Sequence, residues 1–116
     1  MLSHELIISL MANQTVIGTF RVRPDAEKEF TQLLARHWPV LHELGFAAGD
    51  APMIYRSLDQ RLTYVEIFTW VDRGYEHARE HPAVMAIWGR MDGLLEDRDG
   101  QPKWDFPHFE RVELGS

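Results

Sequence analysis

The stretch TYVEIFTW, Thr63 to Trp70, sets one carboxylate among aromatic residues. Strand alternation would put Tyr64, Glu66, Phe68 and Trp70 on one face and Val65, Ile67, Thr69 and Val71 on the other. A carboxylate in such company must be paired, protonated or solvated by a pocket, because an isolated buried charge costs several kcal/mol. Candidate partners are His77, Arg21 and Tyr55. His77, one helical turn beyond Asp72, is the partner expected to lean over this face. Glu66 with His77 would make an acid/base pair at the mouth of an apolar pocket, where an imidazole can take a proton from a phenol or enol near neutral pH. Tyr64, Phe68 and Trp70 would line that pocket, with His37 and Trp38 above them and Trp88 beside them as further substrate contacts. The same pair would equally serve as a buried ion pair that only fixes a helix on the sheet.

A second constellation is HAREHP, His77 to Pro82, which contains H-x-x-E-H, a spacing that can set two imidazoles and a carboxylate on one helix for zinc chemistry. Such a peptidase needs a third ligand from a separate helix and a substrate cleft, and only 35 residues follow His81. Pro82 also disfavours helical geometry at His81. His81 is therefore expected as a turn residue ahead of a second helical piece, and no metal is expected, although Glu66 or His108 could in principle complete a two-histidine site.

These side chains need a scaffold. Thr15 to Arg23 alternates and is rich in strand formers, with Val16, Gly18, Phe20 and Val22 on one face and Ile17 and Thr19 on the other. Pro24-Asp25 opens a segment with Phe30, Leu33, Leu34, His37, Trp38, Leu41 and Leu44 at helical spacing, closed by Gly45 and bent at Pro39. Met53 to Leu58 and Leu62 to Val71 read as a hairpin across Asp59-Gln60-Arg61. Asp72 is a good N-cap for a second helix, interrupted at Pro82, whose Val84, Ile87, Trp88, Met91 and Leu95 form an apolar stripe. Trp104 to Leu114 alternates as a last strand, with Pro107 favouring an edge or a bulge. The order βαββαβ predicts an α+β, ferredoxin-like domain over 15–116, an antiparallel four-stranded sheet with both helices on one face, after an N-terminal extension, 1–14. The other face, carrying Val65, Ile67 and Thr69, has no helix left to cover it and predicts a homodimer through the sheets.

Composition bounds the function. The chain has 116 residues, enough for one core, and is 45% hydrophobic. Twelve Lys plus Arg against eighteen Asp plus Glu give a net charge of -6, which argues against nucleic acid as a partner. No cysteine is present, so disulfides, thiolate metal sites and thiol nucleophiles are excluded together. The apolar run Leu6 to Ala12 is short and follows His4-Glu5 instead of a basic region, so neither a signal peptide nor a membrane helix is expected, and the cytoplasm is the default compartment. No phosphate loop, nucleotide fingerprint or Ser/His/Asp order occurs.

The run Glu66-Ile67-Phe68-Thr69-Trp70, then Tyr75-Glu76-His77 and His81-Pro82-Ala83-Val84, resembles the third-strand and second-helix signature of the dimeric α+β barrel superfamily, in its antibiotic biosynthesis monooxygenase-like branch. The likeness follows the order of elements from Thr15 to Leu114 and reaches residue level between Glu66 and Ile87. It implies a dimeric barrel and, among the activities of that superfamily, a cofactor-independent oxygenase or related isomerase acting on a small hydrophobic phenolic or quinone-like molecule, with no cofactor. The alternative is a non-catalytic dimeric module that binds a small apolar ligand. Haem-degrading members use an asparagine on the first strand, a tryptophan on the third and a histidine on the second helix. Here those positions are Gly18, Phe68 and His77, so only the histidine matches, with Trp70 one strand period away.

Overall fold

The computed structural model describes residues 13–115. The apolar Leu6 to Ala12 run lies outside them. Strand β1, Gln14–Arg21, alternates as expected, with Val16, Gly18 and Phe20 buried. Helix α1, Glu27–Glu43, buries Phe30, Leu34, His37, Trp38 and Leu41 along one stripe and carries Glu27 and Glu29 in its first turn, where the dipole favours acidic groups. It runs through Pro39 and ends at Gly45, whose φ of +84° is cheap only without a Cβ.

Strand β2, Ala47–Arg56, starts six residues earlier than the sequence predicts. Gly49 to Pro52 reads as a break, and the structure makes it an irregularity inside one strand: Ala47 and Ala48 pair with Trp70 and Thr69, and pairing resumes at Met53 with Ile67. Strand β3, Thr63–Trp70, follows a hairpin tip at which Asp59 Oδ1 accepts from the Arg61 amide at 3.0 Å.

The second helical region is in two pieces, α2, Gly74–Ala78, and α3, Pro82–Asp92. Asp72 is not the cap of α2. Arg73 holds that position at φ +61° with no side-chain cap, and a close approach sets the entry, since a Cβ on Gly74 would lie 2.2 Å from the Phe46 carbonyl oxygen. His81 caps α3 with extended backbone angles, its Nδ1 accepting from the Ala83 amide at 3.1 Å, and Pro82 occupies the first turn, where its missing N–H costs nothing. The expected last strand from Trp104 to Leu114 is shorter and broken. Trp104–Asp105, β4, and His108–Phe109, β5, both pair with β1, and Pro107 between them offers only its carbonyl, to the Ile17 amide at 3.2 Å.

The sheet is antiparallel in the order β2-β3-β1-β4, with β5 continuing along β1. This is a ferredoxin-like α+β arrangement. One sheet face packs under α1 and α3 in two clusters, one around Phe20, Phe30, Tyr64 and Met91, the other around Val16, Trp38, Leu41, Phe68, Trp70 and Val84. The opposite face carries in-register rows, Ile17 beside Ile67 beside Met53, and Thr19 beside Val65 beside Tyr55. Ile17, Val65 and Ile67 are half-buried, while Met53 is 52% and Tyr55 56% exposed. Among the described residues no helix is long and apolar enough to cross a membrane.

Candidate active site

Glu66 is where alternation puts it, at the centre of β3 on the helix-covered face, and it is 1% exposed. Its partner is His37. The apolar stripe of α1 carries this imidazole, 4% exposed, down to the sheet, where Nδ1 lies 2.8 Å from Glu66 Oε1. On its other side the ring accepts at Nε2 from the indole Nε1–H of Trp88 on α3, at 2.8 Å. One side chain from each of three elements thus forms a continuous hydrogen-bonded line. The second carboxylate oxygen, Glu66 Oε2, is buried with no hydrogen-bond partner. A buried acceptor left this way loses its hydration without replacement, which favours any ligand able to donate to it.

Such a ligand has room. A cavity of about 460 Å³ adjoins Glu66 and His37, within the size range of small-molecule sites. The sheet supplies Val16, Gly18, Phe68 and Trp70 to its wall, α3 supplies Met85 and Trp88, and the last strand and its loop supply Trp104 and Phe106. Ionisable groups other than the Glu66–His37 pair are few: the Tyr75 phenol, Arg79, whose guanidinium lies over the Tyr75 ring at 5.8 Å, and Asp92, which is bonded to Lys103 Nζ at 3.2 Å. Trp70 Nε1–H is also buried without a partner. Beyond Tyr75 sits His108, with its ring perpendicular to the tyrosine at 5.0 Å and Nδ1 3.0 Å from Gln14 Oε1. Burial holds the His108 imidazole below its usual value, and the nearby Glu76 carboxylate partly offsets this.

Several expected residues meet here and others do not. Glu66, His37, Phe68, Trp70 and Trp88 all line the cavity. His77 does not reach Glu66. It is exposed on α2 and stacks on Phe46, whose ring centroid is 6.3 Å away, while His81 meets the same phenylalanine edge-on at 5.8 Å. The break between α2 and α3 separates the two histidines, so they flank a phenylalanine instead of sharing a ligand point. Among the described residues no three His, Asp or Glu side chains are grouped to hold a metal ion. Tyr64 and Trp38 lie outside the cavity wall. Tyr64 packs on Phe30 and donates to Glu27 Oε2 at 2.6 Å, and burial together with that carboxylate pushes its phenol up to about 12. Trp38 is buried in the second cluster and stacks on His42 at 4.5 Å. Neither Arg21 nor Tyr55 pairs with Glu66: Arg21 bonds Asp105 and Gln101, and the Tyr55 hydroxyl lies 3.7 Å from Met53 sulfur.

Gly18, Tyr75, Arg79, Met85, Trp104 and Phe106 were not expected as site residues. The residues following Pro102 read only as a strand, and nothing in their order says that it folds against the cavity. The Glu66–His37 contact carried a readable signal, a histidine in phase with Leu34 and Leu41 on a buried stripe.

No family model matches the sequence, and no curated protein matches it. Solved structures do. SnoaB, a cofactor-independent oxygenase from Streptomyces nogalater, is 19% identical over 88% of this chain and 95% of its own, with a TM-score of 0.68. This chain has the ferredoxin-like fold of the antibiotic biosynthesis monooxygenase-type proteins. One antibiotic biosynthesis monooxygenase superposes with a TM-score of 0.70 at 12% identity, over 86% of this chain and 99% of that one. A dimeric ferredoxin-like protein from Jannaschia sp. CCS1 superposes with a TM-score of 0.65 at 14% identity, over 86% of this chain and all of its own.

Proposed function

We propose that this chain is a cofactor-independent monooxygenase for a small hydrophobic phenolic or quinone-like molecule, with Glu66 as the proton acceptor. The observation that carries this reading is the unpartnered Glu66 Oε2 beside an apolar cavity. His37 holds the other oxygen, so the carboxylate is oriented and the lone pairs of the buried Oε2 are left for a ligand O–H. An electron-rich hydroxyarene with an activated methylene gives its proton to Oε2. The carbanion transfers one electron to O₂, the resulting radical and superoxide couple through a new C–O bond, and the hydroperoxide formed on protonation loses water. The CH₂ becomes C=O, one oxygen atom enters the product, the other leaves as water, and the substrate supplies all the electrons. Base, shaped cavity and exclusion of water are what the protein contributes. The kinship of fold with an oxygenase that needs no cofactor supports this choice over other proton chemistry. Oxygen uptake with an anthrone-type hydroxyarene under ¹⁸O₂ tests it. Expected are consumption of O₂ and one labelled atom in the product. Binding without oxygen uptake would leave a ligand-binding module of the same fold.

The working form in this reading is a homodimer whose subunits meet through the sheet faces. Its support is the row Ile17, Ile67 and Met53, which no element among the described residues covers, together with the dimeric Jannaschia protein of the same fold.

A further inference from the structure

We propose that Trp88 is a positioning residue that fixes His37 in the Nδ1–H tautomer and thereby reserves Glu66, not the imidazole, as the proton acceptor of the cavity. An indole N–H can donate and never accept. Trp88 Nε1 lies 2.8 Å from His37 Nε2, so that nitrogen presents its lone pair. The ring proton is then on Nδ1, 2.8 Å from Glu66 Oε1, and is donated to it. The line runs one way, from indole to imidazole to carboxylate.

Without Trp88 a second arrangement would serve the same distances, a carboxylic acid donating to a bare Nδ1 with the ring proton on Nε2. The indole excludes it, because two N–H groups would then face each other in a buried site, and it excludes a doubly protonated ring for the same reason. Both imidazole nitrogens are thus committed. A proton released by a ligand has Oε2 as its acceptor, and the other ionisable side chains of the cavity are Arg79, a cation, Tyr75, a phenol that itself carries a proton, and Asp92, a carboxylate already bonded to Lys103. That consequence rests on the reading of Glu66 as the base. The tautomer itself does not.

Long-range ¹H–¹⁵N spectra of histidine-labelled protein without ligand, at neutral pH, decide the matter, with His37 assigned from a His37→Gln sample. The expected result is a single tautomer with Nδ1 protonated and Nε2 bare and hydrogen-bonded. Trp88→Phe, which keeps an aromatic ring without the donor, should move the Nε2 resonance, and turnover should fall through kcat with KM little changed. A proton on Nε2 in the wild type, or an Nε2 resonance indifferent to Trp88→Phe, would overturn the proposal. If the variant fails to fold, the wild-type spectrum alone still decides. Turnover retained by Glu66→Gln alongside the expected tautomer would count against Glu66 as the base while leaving the role of Trp88 in place.

Discussion

Gly18 on β1 lies directly opposite Glu66 on β3 in the antiparallel register, so a buried carboxylate looks across the ladder at a residue with no side chain. Both line the cavity, and a Cβ on Gly18 would stand 3.3 Å from the edge of the Phe20 ring. Here the glycine keeps volume free next to the carboxylate; its φ is not in the left-handed region.

Enlarging that residue should therefore close the site before it harms the fold. Gly18→Ala is expected to be tolerated, because the gain of about 0.5–1 kcal/mol from removing a strand glycine offsets a small adjustment of Phe20. Gly18→Leu should weaken binding of an aromatic ligand at least about tenfold, roughly 1.4 kcal/mol, with a modest fall in Tm. Tryptophan-fluorescence titration checks this, since Trp70, Trp88 and Trp104 all line the cavity. Unchanged affinity in Gly18→Leu would place the ligand elsewhere.

The two halves of the buried pair should separate by substitution. In Glu66→Gln the side-chain amide oxygen can still accept from His37 Nδ1–H, so stability should be nearly kept while oxygen uptake is lost. His37→Leu leaves a buried carboxylate with neither oxygen bonded, which should cost about 1–3 kcal/mol or more in urea denaturation. Equal destabilisation by both changes would mean that the pair serves packing alone.

The sheet, the order of elements and the place of Glu66 were legible because alternation with period two and a stripe with period 3.6 are local properties of TYVEIFTW and of Phe30 to Leu41. That His77 fails to reach Glu66 was not, because it depends on how far α2 leans, and that is decided by Gly74 against the Phe46 carbonyl, a contact between residues distant in sequence. Asp72 looked like a cap on side-chain chemistry, yet the close approach at Gly74 set the turn with Arg73 at φ +61°. The Gly-Asp-Ala-Pro stretch looked like a loop because its residues rarely sit in strands, and neighbouring β3 nonetheless holds both ends of it in one strand.

Ile67 has Ile17 on one side and Met53 on the other on the open sheet face. If that row is the seam of a homodimer, Ile67→Lys would place a charge in a desolvated interface, at a penalty of several kcal/mol. The wild type should scatter light as a dimer at micromolar concentration, and the variant should be monomeric or unfolded. A normal dimer in Ile67→Lys would assign the seam to another surface.

Acidification should weaken the fold in part through His108. Burial against Tyr75 and Trp70 holds its folded-state value below 6.5, with Glu76 pulling partly the other way. Between the folded value and 6.5 the unfolded chain binds a proton that the folded chain refuses, so stability present above pH 6.5 is lost as pH falls through the folded value. His108→Gln cannot take up that proton and keeps a polar group near Gln14. Its Tm should therefore decline less than that of the wild type between about pH 8 and pH 5. Parallel Tm profiles for the two would mean that His108 takes up its proton equally well in the folded and unfolded chains.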